Sequence, residues 1–251
     1  MPDPVKERVV LVTGATSGIG LAAARAFARA GATVVGTGRD AARLDALARE
    51  VDLALVLDVT KPDDVEIAVA AVLDRHGGVD VLVNNAGVGL FKAWDETTPQ
   101  DLRRVFDVDF FGQVELTRRL LPSLIARKGA IVQVASVAAK RGYPRHTAYC
   151  AAKHALVGWS EALRQDLAGT GCDVVVVCPP AVRTPFFENA GYTTFDADHP
   201  GLALMRAEAV ADAIVEAARR RPRQVVLGAR AKALYAASLV APGLLDRLRR
   251  R

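Results

Sequence analysis

Cysteine is scarce in this chain: Cys150, Cys172 and Cys178 are the only three in 251 residues. They form no Cys-x-x-Cys pair and no zinc-ligand spacing, which excludes a disulfide-stapled scaffold and a structural zinc module. Histidine is as sparse, and His76, His146, His154 and His199 show no metal-ligand spacing; they read as packing or surface residues. No uninterrupted apolar run approaches a membrane span. The opening MPDPVKER lacks the apolar core of a secretory signal. With unpaired cysteines, this predicts a cytoplasmic protein. Nor does one charge sign dominate. A formal net charge of +5 suits an anionic small molecule and is too weak to imply nucleic acid. Much of the surplus sits in Arg219–Arg221 and Arg247–Arg251, both read as solvated faces.

What the chain has is apolar residues, 51% of the total, enough for a sizeable core in one α/β domain. Its organising stretch is Val9–Gly20, VVLVTGATSGIG. Four β-favouring residues run into a turn of Gly, Thr and Ser, and an apolar helical pattern follows through Ile19, Ala23 and Phe27. A helix N-terminus behind a glycine-rich turn offers unpaired N–H groups to a phosphate. Gly14 permits the sharp turn, Gly18 a close approach to bare backbone, and Gly20 tight helix packing.

Strands then alternate with helices. Strands are predicted at Val34–Thr37, Leu53–Leu57, Val79–Val83, Ile131–Ala135, Val174–Cys178 and Val225–Leu227. Helices are predicted at Arg39–Glu50, Asp63–Arg75, Pro99–Lys128, Thr147–Gly169 and Ala207–Arg220, with the third bent near Pro122. Alternation of this kind implies βαβ units and a parallel sheet, and no linker divides the chain. The apolar positions of 99–128 exceed one narrow stripe, so two faces are buried, one of them against a second subunit.

After the second strand stand Thr37, Gly38 and Arg39 in place of the carboxylate that receives an adenosine ribose in NAD-binding folds. A guanidinium forks onto a 2′-phosphate that a carboxylate would repel. The expected coenzyme is therefore NADP(H) rather than NAD(H), the alternative being that Arg39 stacks on adenine or caps the next helix. Asp40 reads as that helix's N-cap.

Tyr149 and Lys153 stand four apart on one helix face. A free phenol has a pKa of about 10, and a nearby ammonium lowers it by about 1–3 units, making Tyr149 a candidate acid–base group. Ser136, at the end of the preceding strand, is placed to hydrogen-bond the same substrate oxygen.

TGATSGIG, Asp58, Asn84-Asn85-Ala86-Gly87, Ser136 and YCAAK together resemble, in order, the short-chain dehydrogenase/reductase family. The resemblance spans about Arg8 to Gly228. It implies a single Rossmann-type doubly wound domain with a seven-stranded parallel sheet in the order 3-2-1-4-5-6-7 and helices on both faces. It also implies hydride transfer between nicotinamide and a carbonyl or alcohol carbon, in a homodimer or homotetramer. By position it places Gly14, Thr16, Ser17 and Ile19 along the diphosphate and adenosine side, and Asp58 and Val59 at adenine. Asn85, Ala86 and Gly87 support the central strand and ribose. Ser136 polarises the carbonyl, Tyr149 is the acid–base, Lys153 lowers its pKa and holds the ribose hydroxyls, and Val182 and Thr184 hold the carboxamide.

Two positions depart from the family pattern. Asp109 stands where the family usually has an Asn that anchors a relay water; a buried carboxylate there favours charged Lys153 and disfavours phenolate. Pro180 replaces the usual Gly after the sixth strand, fixing φ and removing a donor, so the loop over the nicotinamide is expected to sit differently. Residues 183–206 read as a substrate lid carrying Phe186, Phe187, Tyr192, Phe195 and Leu204, either walling a lipophilic ketone or aldehyde or packing the lid onto the body. Tyr143 is a candidate opposite wall, and Cys150 a small buried filler. The basic tail, 229–251, reads as a subunit-interface or active-site cover, with attachment to an acidic membrane the less favoured alternative. A cofactor-binding sensor that lost turnover is the alternative to an NADP(H)-dependent enzyme; its support is Asp109.

Overall fold

The computed structural model describes residues 4–190, 204–241 and 243. Seven strands, β1 (Val9–Val12), β2 (Thr33–Gly38), β3 (Leu53–Val56), β4 (Val81–Asn84), β5 (Ala130–Val134), β6 (Asp173–Cys178) and β7 (Gln224–Val226), make one sheet in the order β3-β2-β1-β4-β5-β6-β7. Every pairing in it is parallel. Joining them are α1 (Gly18–Arg29), α2 (Ala41–Leu47), α3 (Pro62–His76), α4 (Pro99–Phe106), α5 (Gly112–Ala126), α6 (Thr147–Asp166) and α7 (Ala207–Arg220); α8 (Ala229–Val240) follows the last strand. This is the expected fold and strand order.

A parallel sheet covered on both faces needs strands that are apolar throughout, and Val and Leu supply this. Val10, Val12, Val34, Val83, Val132 and Val175 pack towards α1 and α7. Their neighbours Leu11, Val35, Leu82, Ile131 and Val174 pack towards α3 and α5. Each is fully buried, a gain of about 1.5–3 kcal/mol per side chain. Polar exceptions sit at the carboxyl ends of the strands, where Asn84 and Gln133 pair across β4 and β5.

Helix ends follow local chemistry. The Asp40 side chain accepts the Arg43 N–H at 3.1 Å, so Asp40 is the N-cap as expected. Thr98 and Asp101 form a reciprocal cap ahead of Pro99. Gly77, at φ +66°, closes α3 in the left-handed conformation.

Two helices differ from expectation. The second is shorter, and Arg39 lies ahead of its cap, outside the helix. The single helix expected over 99–128 is divided by a π-turn at Asp107–Phe111, while α5 runs on through Pro122. Gly112 packs closely where the turn ends, a Cβ there standing 2.6 Å from the Val59 carbonyl oxygen, and the turn carries Asp109 in a fully buried position.

Candidate active site

The strand order reverses between β1 and β4, so the chains leaving them diverge and open a crevice at their carboxyl ends, where such sheets bind ligands. A cavity of about 1370 Å³ occupies it. Gly14, at φ +64°, makes the turn after β1, and a Cβ there would come 3.1 Å from Ala86 Cα. A Cβ on Gly20 would collide with the Gly14 carbonyl oxygen; the close approach is helix to loop. Gly18, at φ +52°, lies under the Thr184 side chain. Ser17 caps α1 without a side-chain hydrogen bond, leaving the first N–H groups of the helix to an outside acceptor. The residues fit a dinucleotide diphosphate.

Thr13 joins the two diverging chains. Its hydroxyl oxygen accepts the N–H groups of Asn85 and Ala86, each at 2.9 Å, and Asn85 Nδ2 donates back to the Thr13 carbonyl at 2.8 Å. Thr16 rests on Gly38, where a Cβ would approach Thr16 Cγ2 to 2.5 Å. Thr16, Ser17, Ile19, Asn85, Ala86 and Gly87 all line the cavity.

At the far end are Arg39, Asp58 and Val59. Arg39 Nη1 lies 3.7 Å from Asp58 Oδ2, with the guanidinium 66% exposed. Burial opposes the Asp58 charge, but hydrogen bonds from Thr60 and the nearby Arg39 and Lys61 outweigh it and lower the carboxyl pKa. Arg43 and Arg104 border the same end. Reading the sequence missed both, because their approach to Arg39 depends on how α2 and α4 pack.

Ser136, Tyr149 and Lys153 line the other half of the cavity. Ser136 follows β5, and its Oγ accepts the Ala138 N–H at 3.1 Å. Tyr149 and Lys153 share the inner face of α6 and are both buried. Lys153 Nζ donates to the Val134 carbonyl at 3.3 Å and lies 3.2 Å from Asp109 Oδ2. That ion pair is off the hydrogen-bond direction, since Oδ2 has no hydrogen-bond partner. Asp109 Oδ1 accepts the Val88 N–H at 2.7 Å. Burial raises the Asp109 pKa, against the pull of Lys153 and Val88.

Burial, then the Asp109 charge, push the Tyr149 pKa well above its ordinary value, and Ser136 only partly offsets them. The Lys153 ammonium is committed to Asp109 and Val134 and stands 5.7 Å from the Tyr149 ring centre. Replacing Asp109 by Asn removes the charge that opposes phenolate. The kcat/KM–pH profile of Asp109→Asn should move about one pH unit to the acid side; superimposable profiles would exclude this coupling.

Beyond Pro179-Pro180, Val182 is buried and Thr184 Oγ1 approaches the Val182 carbonyl at 3.5 Å. Val182 pairs with Met205. Phe186, Phe187 and Leu204 line the cavity with Tyr143; Tyr192 and Phe195 lie outside the described residues, as does the tail beyond 243. Cys150 is buried and its thiol pKa is raised by burial, as a filler requires. Among the described residues no cluster could hold a metal and no helix is long and apolar enough to cross a membrane. Sequence reading also missed Phe91 and His146, which border the cavity from loops without a recognisable pattern.

A profile described as short chain dehydrogenase matches residues 8–193. The chain belongs to the short-chain dehydrogenase family. Among curated relatives of this family, an uncharacterized oxidoreductase, YxnA of Bacillus subtilis, is 34% identical over 97% of this chain and 72% of its own length. A solved short-chain dehydrogenase from Streptomyces avermitilis is 35% identical with a TM-score of 0.81, covering 97% of this chain and 94% of its own. A 3-ketoacyl-(acyl-carrier-protein) reductase from Brucella melitensis, solved with NADH, is 31% identical with a TM-score of 0.83, covering 90% and 99%. This short-chain dehydrogenase is therefore an oxidoreductase that transfers hydride with a nicotinamide coenzyme.

Proposed function

We propose that this short-chain dehydrogenase is an NADP(H)-dependent carbonyl reductase acting on a lipophilic ketone or aldehyde. The observation that carries the reading is the Tyr149 hydroxyl. It lines the cleft with Ser136, and Lys153 stands one turn further along the same buried face of α6. Such a group serves reduction, because a carbonyl oxygen that gains negative charge must take a proton.

Bound NADPH supplies the hydride. Ser136 donates a hydrogen bond to the carbonyl oxygen as charge builds there, and Tyr149 gives that oxygen its proton. Lys153 holds the ribose hydroxyls, and Asp109 fixes the position of Lys153. Gly14, Thr16, Ser17 and Ile19 hold the diphosphate side, Asp58 and Val59 the adenine, and Asn85, Ala86 and Gly87 the ribose. Val182 and Thr184 hold the carboxamide. The segment 183–206 acts as lid, and the tail 229–251 as a cover. The protein works in the cytoplasm as a homodimer or homotetramer paired through its long helices, where Phe111 is exposed beside Phe110.

NADPH oxidation over a panel of carbonyl compounds, with Tyr149→Phe as control, tests the reaction. Tight NADPH binding without turnover of any compound would move the assignment to a sensor. Arg39 tests the coenzyme. Its guanidinium reaches into solvent at the adenosine end, and a charged hydrogen bond to phosphate is worth about tenfold or more in affinity. Arg39→Ala should raise the KM for NADPH about tenfold and leave that for NADH unchanged. A wild-type preference for NADH would refute the NADP(H) reading.

A further inference from the structure

The chain has few aromatic residues, 6%, yet several converge on one end of the cavity from three separate segments. Phe91 comes from the loop after β4, Tyr143 and His146 from the approach to α6, and Phe186 and Phe187 from the short helix Phe186–Asn189. Phe91 is the hub. Its ring centre lies 4.3 Å from that of His146, 5.6 Å from Phe187 and 6.2 Å from Tyr149. It stacks on Phe187 at 29° and meets Tyr149 edge-on at 79°. Phe186 stands 5.6 Å from Tyr149. Tyr149 thus borders an aromatic-lined slot at that end of the cavity.

Gly89 sets the width of that slot. A Cβ there would stand 2.8 Å from Ala190 Cβ and 3.0 Å from Phe186 Cε1. Gly89 is not among the glycines with positive φ, so space, not backbone conformation, demands glycine. The missing side chain lets the 186–190 turn settle against Phe91 and Tyr149. The acidic residues on the cavity, Asp40 and Asp58, lie at the adenosine end.

We infer that the slot takes an aryl or conjugated carbonyl compound without a cationic group, and that Gly89 is its specificity-determining position. This rests on the carbonyl-reductase reading of the same site. Aromatic contacts favour offset-stacked and edge-to-face pairs, each worth about 2- to 12-fold beyond the area buried. A saturated ring of equal size offers no π-face. In the step, the carbonyl carbon accepts the hydride pair from reduced coenzyme, which is oxidised. The oxygen takes the Tyr149 proton, C=O becomes CH–OH, and solvent reprotonates the phenol.

The test compares acetophenone with methyl cyclohexyl ketone, two methyl ketones of equal carbon count, on the full chain with NADPH. The wild type should favour acetophenone in kcat/KM by about tenfold or more. Gly89→Ala, which lifts the 186–190 turn, and Phe91→Leu, which removes the hub ring without crowding, should each bring the ratio to within threefold. NADPH affinity, measured on the same samples, should stay within twofold, as a misfolded protein would not allow. A wild-type ratio near one, or a ratio that both variants leave intact, overturns the proposal. If neither ketone is reduced, the carbonyl-reductase reading fails on its own. Saturation-transfer NMR of the two ketones on the NADPH-bound protein then decides the slot: acetophenone binding tighter sustains it, equal binding overturns it.

Discussion

Tyr149→Phe should bind NADPH as the unchanged protein does and lose about 10²- to 10⁴-fold in kcat. The substitution removes one oxygen and keeps the ring, so the contacts of Tyr149 with Phe91 and Phe186 survive and the fold should hold. What disappears is the only group in this reading that both touches the substrate oxygen and carries a transferable proton. Ser136 does not replace it in this reading, where its hydroxyl stabilises charge by a hydrogen bond. The paired measurement is steady-state turnover beside a fluorescence titration of NADPH. Turnover within threefold of wild type would remove Tyr149 from the chemistry. Equal loss of coenzyme affinity would mean that the cleft had been disturbed.

Lys153→Met should be the most destabilising conservative change in the cleft, by about 3 kcal/mol at pH 8, because it strands a buried carboxylate. Asp109 has no exposed surface and Lys153 almost none, so each charge faces the other across 3.2 Å away from bulk solvent. The loss should depend on pH. Burial already raises the Asp109 pKa, and losing Lys153 raises it further. A carboxyl whose folded pKa exceeds its unfolded value stabilises the fold fully below the unfolded value, about 4. That contribution is lost as pH rises through the folded pKa. The deficit of Lys153→Met should therefore shrink towards pH 5 and grow towards pH 8. Adding Asp109→Asn should restore most of the lost stability, since an amide keeps the Val88 hydrogen bond without the charge. Urea denaturation at the two pH values checks this. A deficit that ignores both pH and the second substitution would show that the pair carries no such strain.

The sheet was readable because a parallel strand buried on both faces leaves an uninterrupted run of Val and Leu, and the turns between carry their own Gly, Pro and Asp signals. The phosphate loop and the Tyr149–Lys153 spacing were readable for the same reason: each is fixed by neighbours within a few residues. What escaped was set at long range. The π-turn in the long helix lies beside a contact of Gly112 with Val59 across the fold, which the local letters do not mark. That Asp109 favours a charged Lys153 was legible, whereas its approach to Nζ at 3.2 Å needed the geometry. Phe91 and Gly89 sit in a loop whose letters promise nothing; their meaning comes from a helix a hundred positions further on.

The π-turn at Asp107–Phe111 carries a consequence for how this family member can vary. A regular helix advances about 100° per residue, so shortening the turn by one residue would swing everything before it around the axis relative to everything after. Asp109 would leave Lys153, or α5 would lift from the sheet, and no single compensating substitution could restore both. Apart from Asp109, that segment is therefore constrained in length more than in letters, and a one-residue gap there in a related chain would mark a protein with a different proton economy.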